Sequence, residues 1–338
     1  MNQPSLTFFC ELEPEQLTYL FADGKVISSL SKLKANLSLG LLDFSIKRAE
    51  VVKKLNRAGI PVTAWILLPK EQGYWTSLDT IQDTVVRYQQ FKDWATQNKL
   101  KFSAIGLDIE PPLETVHALG RSPLSQAPVL LRRLLSGDAY QKYEGITHTL
   151  IQQMHMDGFA VETYQFPTVI DERAAQSIVL SKTLGLTTLS ADREVLMLYS
   201  SFFPKYSDSI LWSYVQQAQA VGLGSTGGGV ELEGIPGLKT LRWIDLKRDL
   251  LLAAQRVDHL YIFSLEGCVE NKYMHRLLDL NWETAVIPPA RQAAGITLVR
   301  KTAQGFLWAL SHPIESFFGI VFLISLIKWL NKLFSKQT

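Results

Sequence analysis

Short apolar runs alternate with helical stretches from the amino terminus to about residue 285, and no other feature restricts the fold as much. The runs lie at 6–10 (LTFFC), 37–42 (LSLGLL), 62–68 (VTAWILL), 103–110 (SAIGLDIE), 159–164 (FAVETY), 194–199 (EVLMLY) and 259–266 (HLYIFSLE). Between them, helical spacing appears at 14–33, 46–58, 80–98, a long region ending at 156, 209–220 and 246–256. Strands joined through helices must run parallel, and seven such units with a less distinct eighth predict a (β/α)8 barrel. The seventh strand has two candidates, 220–223 and 229–232. Continuous rather than alternating apolar character fits strands buried on both faces. The expected organisation is an α/β barrel over 1–285, a link over 286–304 containing Pro288 and Pro289, and a hydrophobic helix over 305–334.

That last segment holds the run FFGIVFLISLI at 317–327, followed by Lys328 and Trp329. The run alone falls short of the roughly 20 apolar residues of a membrane span. Extending it back to 306 reaches that length by including His312, Pro313 and Glu315. A membrane anchor is expected, set against a buried or dimer-forming helix and an amphipathic helix lying in the bilayer surface. Arg291, Arg300 and Lys301 stand before the run and Lys328, Lys332 and Lys336 after it, so charge does not decide orientation. The amino terminus has no basic segment leading into an apolar one, so a membrane-associated protein with its barrel in the cytoplasm is the expectation.

An apolar content of 47% with 20% charged residues describes a folded chain. A formal charge of +2 without a basic stripe argues against nucleic acid as a partner. Two cysteines, Cys10 and Cys268, exclude a disulfide framework and a cysteine-based zinc site. Cys10 ends the first strand and Cys268 follows the eighth, strands that neighbour each other in a closed barrel, and two separate buried thiols are expected. His117, His148 and His155 lack ligand spacing, so neither metal nor cofactor is expected. The segment 222–227 (GLGSTG) formally matches G-x-G-x-x-G. It lies late in the chain and leads into GGVEL, a poor helix start, so it reads as a flexible loop over the barrel mouth.

The fourth run breaks into Asp108 and Glu110 and stops at Pro111 and Pro112. Strand side chains alternate faces, so these two acids share one. Carboxylates this close cannot both ionise freely, and one should carry a raised pKa at the strand end where parallel α/β folds place their sites. The competing reading is a solvated pair that caps a helix or binds arginine.

The same stretch resembles the D-x-x-D-x-D-x-E strand of chitinase-type (family 18) glycoside hydrolases. Asp108 and Glu110 stand at its last two acid positions, with Gly106 and Ser103 at the others. The sixth run, LMLYS at 196–200, is similar to that family's M-x-Y-D, with Met197 and Tyr199 in place and Ser200 for the Asp. The resemblance implies a glycosidase acting on a carbohydrate or glycoconjugate. Glu110 would be the proton donor, Asp108 its partner that orients the substrate's acetamide, and Tyr199 the support of the charged intermediate. A two-carboxylate route competes, with the second acid drawn from Glu162, Glu231, Glu233 or Glu266. The missing acids motivate the alternative of a catalytically inactive carbohydrate-binding barrel. Substrate contacts are expected from Tyr164, Gln165, Glu162, Trp75, Tyr74, Met197 and Glu266, whereas Trp243 reads as packing.

Overall fold

Eight parallel strands close into a barrel in chain order. They are β1 (Ser5–Cys10), β2 (Asn36–Leu41), β3 (Val62–Ile66), β4 (Ala104–Ile109), β5 (Ala160–Gln165), β6 (Arg193–Met197), β7 (Ala220–Gly224) and β8 (His259–Phe263). The computed structural model describes residues 3–112, 115–116, 123–135, 137–187, 191–202, 204–229 and 239–318. Strand β7 is the earlier of the two expected candidates, paired to β6 and β8.

The helices are α1 (Pro14–Leu20), α2 (Lys25–Leu33), α3 (Ile46–Arg57), α4 (Ile81–Asn98), α5 (Pro123–Leu135), α6 (Gly137–Met156), α7 (Thr168–Ala174), α8 (Val179–Leu184), α9 (Ser207–Val215), α10 (Trp243–Ala253), α11 (Leu265–Glu270), α12 (Tyr273–Leu278) and α13 (Ala290–Ser311). The stretch 14–33, expected as one helical region, is two helices parted near Gly24, whose φ of 72° leaves the helical region. Trp243 opens α10 and packs 5.5 Å from Tyr273, as ordinary packing would have it.

Strand alternation sorts the core into two bodies. Phe8, Leu39, Ile105, Val161, Val221 and Ile262 face the helices. Phe9, Trp65, Tyr164, Val195, Met197 and Tyr261 fill the barrel interior. Both faces are buried, which is why the runs look continuously apolar. Two buried arginines close the outer layer near the barrel mouth. Arg48 donates to the carbonyls of Gly40 (2.8 Å) and Leu12 (2.9 Å) and to Asp43 (2.6 Å). Arg87 donates to the carbonyls of Leu67 (3.0 Å), Leu41 and Leu42 (2.9 Å each). Each satisfies backbone acceptors that no further strand residue reaches. Cys10 and Cys268 are separate buried thiols.

Residues 286–304, expected as a link, instead enter a helix at Ala290 that runs on to Ser311 and buries Ala293, Arg300, Gln304 and Leu307. Polar anchoring explains the difference: Arg300 and Gln304 both donate to Asp171 on α7 (2.9 and 2.7 Å). Among the described residues, no helix is long and apolar enough to cross a membrane. Residues 319–334 of the expected anchor lie outside the described residues.

Candidate active site

Along β4, Gly106 and Asp108 turn into the barrel and Ile105, Leu107 and Ile109 toward the helices. Glu110 continues the inward row one step higher, half-buried at the rim. The two carboxyls hydrogen-bond each other. Burial pushes Asp108 well above the usual carboxylate range, and repulsion from Glu110 and Glu11 adds to it. Burial also pushes Glu110 up, to about 7, against the lowering effect of the bond from Asp108. Both carboxyls are thus pushed toward their protonated forms, and the two titrate as a pair. Repulsion raises the deeper acid, because depth makes its charge the costlier one.

Residues from other strand ends surround the pair. Glu11 follows β1, and the Tyr74 hydroxyl donates a short hydrogen bond to it. Tyr74 is held at φ 67°, a left-handed conformation that costs a non-glycine residue about 1 kcal/mol or more. Its segment is pinned along β4 by the Thr76 amide, which donates to the Asp108 carbonyl at 2.9 Å. That attachment brings Trp75 to the mouth as well, edge-on to Tyr74 at 5.6 Å. Glu266, in the first turn of α11, accepts from the amides of Gly229 (2.9 Å) and Glu11 (3.3 Å). Tyr199 lies just beyond β6, its ring 5.8 Å from that of Phe263. Burial first, then Asp108, Glu110 and Glu11, raise its pKa, so the phenol belongs to the same constellation.

The expected glycine-rich loop divides. Gly222 and Gly224 are part of β7, while Gly228 rests against Glu266, where an added Cβ would fall 2.3 Å from the Cγ. Residues 230–238, with Glu231 and Glu233, lie outside the described residues.

Below the acids lies a polar tier. The Tyr164 hydroxyl is 2.7 Å from that of Ser38 and 3.4 Å from Glu162, and Arg193 donates to Glu162 at 2.8 Å. Register pairs Asp108 with Tyr164 and Gly106 with Glu162. Glu162 thus sits four residues below Glu110, about 13 Å along the strand, and its charge is met by Arg193. The structure does not bring it to the mouth. Tyr164 and Met197 line the floor instead. An added Cβ on Gly106 would lie 2.3 Å from the Tyr164 hydroxyl, so a phenol fills the space where the family pattern carries an acid. Ser200 donates at 2.5 Å to Asp249 on α10, away from the mouth acids. Gln165 faces outward and donates to Thr163 at 2.9 Å, beside a hollow of about 600 Å³ that also touches Glu172 and Glu194. Adjacent strand residues cannot share a face, and this separates Gln165 from Tyr164.

Glu11 and Trp65 go unmarked by sequence reasoning. The signal for Glu11 is that the first run, like the fourth and eighth, ends on an acid. The second run does too, yet Asp43 binds Arg48 on the helix side. Only packing separates the two cases. Trp65 Nε1, Asp108 Oδ1 and Glu266 Oε2 are buried polar atoms without a hydrogen-bond partner among the described residues. No lysine or arginine among those residues perturbs Asp108 or Glu110. Two carboxyls raised toward neutrality, with no cation beside them among the described residues, are suited to proton transfer. Among the described residues, no cluster of His, Cys, Asp or Glu is placed to hold a metal ion.

No family model matches the sequence, and no curated protein does. Solved structures match at the level of the barrel. A GH18 chitinase from Pseudoalteromonas aurantia is 10% identical over 81% of this chain and 99% of its own, with a TM-score of 0.45. A mutant tryptophan synthase alpha-subunit from Pyrococcus furiosus is 12% identical over 82% and 98%, at 0.40. The 3-keto-D-glucoside 4-epimerase from E. coli is 10% identical over 82% and 99%, at 0.41. Proteins so different in reaction share the (β/α)8 fold and no inferred chemistry.

Proposed function

We propose that this chain is a glycoside hydrolase with Glu110 as general acid/base. The observation that carries the reading is the hydrogen-bonded Asp108–Glu110 pair at the carboxyl end of β4, its outer member poised at about 7 and unopposed by any cation among the described residues. A glycosidic oxygen leaves poorly as an alkoxide, so a carboxylic acid must protonate it as the bond to C1 breaks. Protonated Glu110 supplies that proton. In the substrate-assisted route implied by the resemblance, the acetamide oxygen attacks C1, Asp108 orients and stabilises the resulting cation, and Tyr199 hydrogen-bonds it. Glu110, now ionised, then takes a proton from the water that opens the intermediate. The two-carboxylate route draws its second acid from Glu266 or, by position, Glu11. Tyr74 and Trp75, expected as sugar contacts, are buried in the aromatic cluster behind the rim, so they would support the site from behind and offer a sugar no open face.

Turnover of an aryl N-acetylglycosaminide panel tests this. Glu110→Gln should lower kcat by about 10²–10⁴-fold with the melting temperature maintained. Unchanged turnover would remove Glu110 from its role. A second reading, an inactive carbohydrate-binding barrel, draws on one observation: Tyr164 occupies the space of the absent acid at Gly106. Saturable binding of a glycan that the wild-type chain never cleaves selects that reading.

A further inference from the structure

Helix α13 turns Arg300 and Gln304 inward together with Ala293 and Leu307, and leaves several large apolar side chains facing outward, where a surface helix ordinarily carries polar ones. The Arg300 guanidinium stacks over the Tyr214 ring at 3.7 Å. It donates to Asp171 at 2.9 Å, to Gln217 at 2.8 Å and to the Ser213 carbonyl. Gln304 adds a 2.7 Å bond to Asp171, and Ser311 a 2.8 Å bond to Ser177. Directional bonds of this kind permit only one rotation of the helix. That rotation leaves Leu298 (69%), Val299 (66%), Phe306 (66%) and Leu310 (49%) exposed. Val299, Phe306 and Leu310 recur at i, i+7 and i+11, a single stripe. Beyond Pro313 the exposure continues through Ile314 (68%), Phe317 (63%) and Phe318 (65%). Scattered apolar side chains at a surface are ordinary, whereas a continuous stripe marks a contact face.

We infer that this face lies on a lipid bilayer, with α13 as a rigid strut that sets the barrel's orientation at the membrane. The stripe leads directly into the uncharged run at 317–327, which is followed by Lys328, Trp329, Lys332 and Lys336. An apolar run closed by an aromatic and several cations matches the hydrocarbon boundary and anionic headgroups of a membrane surface. A soluble partner accounts for the stripe alone; a bilayer accounts for the stripe and the tail together. The inference is independent of the chemistry proposed for the barrel mouth.

Cysteine labelling of the full-length chain tests it, because Cys10 and Cys268 are buried and leave an introduced thiol as the accessible one. Val299→Cys, Phe306→Cys and Leu310→Cys would each carry the environment-sensitive fluorophore NBD, with Ile46→Cys, 74% exposed on α3, as the reference. On adding vesicles of phosphatidylcholine with a minority of phosphatidylglycerol, emission at the three α13 sites should rise several-fold and shift to the blue, while the reference stays constant. Three results would overturn the inference. The chain fails to bind vesicles; it binds while the α13 labels stay as solvent-like as the reference; or those labels are already shielded without lipid, meaning that a second copy or the chain's own tail covers the face.

Discussion

Asp171 and Asp108 are both buried aspartates, 5% and 4% exposed, and their surroundings are opposite. Asp171 accepts from Arg300 (2.9 Å), Gln304 (2.7 Å) and Tyr214 (2.5 Å), so its charge is neutralised and its lone pairs are used. Asp108 has another acid as its neighbour and one oxygen without a partner among the described residues. A buried carboxyl costs several kcal/mol unless it is paired. The network under α13 offsets that cost and fastens a helix. At the barrel mouth no cation among the described residues offsets it, and both carboxyls are pushed toward their protonated forms. Burial alone therefore does not separate a structural acid from a candidate functional one; the partners do.

The contrast breaks most sharply if Asp171 is made to resemble Asp108. Arg300→Ala strands a buried carboxylate and should cost about 3–5 kcal/mol, seen as a lower midpoint in urea unfolding. A loss below about 1 kcal/mol would mean that the network does not hold the helix. Next in size is Gly106→Ala, whose Cβ would press on the Tyr164 hydroxyl. Overpacking of this kind should cost about 1–3 kcal/mol, and adding Tyr164→Phe should return part of it. Strict additivity of the two changes would contradict the close approach.

The smallest effect concerns pH. Glu110 has its carboxyl pKa at about 7 in the fold against an ordinary 4.5, so the native state binds more protons than the unfolded chain between those values. Stability should then fall as pH rises from about 4.5 to about 7 and level off above. The loss due to Glu110 amounts to about 1–2 kcal/mol once solvent screening on its open side is allowed for. Melting curves of the wild type and Glu110→Gln across that range isolate this contribution, since the variant keeps an acceptor for Asp108 but cannot ionise. Parallel curves would show that Glu110 does not titrate there.

Much of this was legible beforehand. Apolar runs separated by helical spacing imply a parallel barrel, because the connections leave no other economical arrangement. Period-two alternation places Asp108 and Glu110 on one face, and that face proves to be the inner one. The same rule, applied to Gln165 beside Tyr164, separates them. The stretch 290–304, helical in the structure, read as a link because its alanines and glycines hide a polar stripe, Arg300 and Gln304, that finds its partner on α7.

Local periodicity thus marked seven of the strands and which residues share a face, since those follow from backbone geometry within a few residues. Tertiary packing alone decided the partners. It set Glu162 against Arg193, Asp43 against Arg48, Glu11 against Tyr74, and Asp108 against another acid. Those pairings depend on register between strands and on loops that cross the barrel mouth. Contacts between residues so distant along the chain leave no mark in the spacing of the residues themselves.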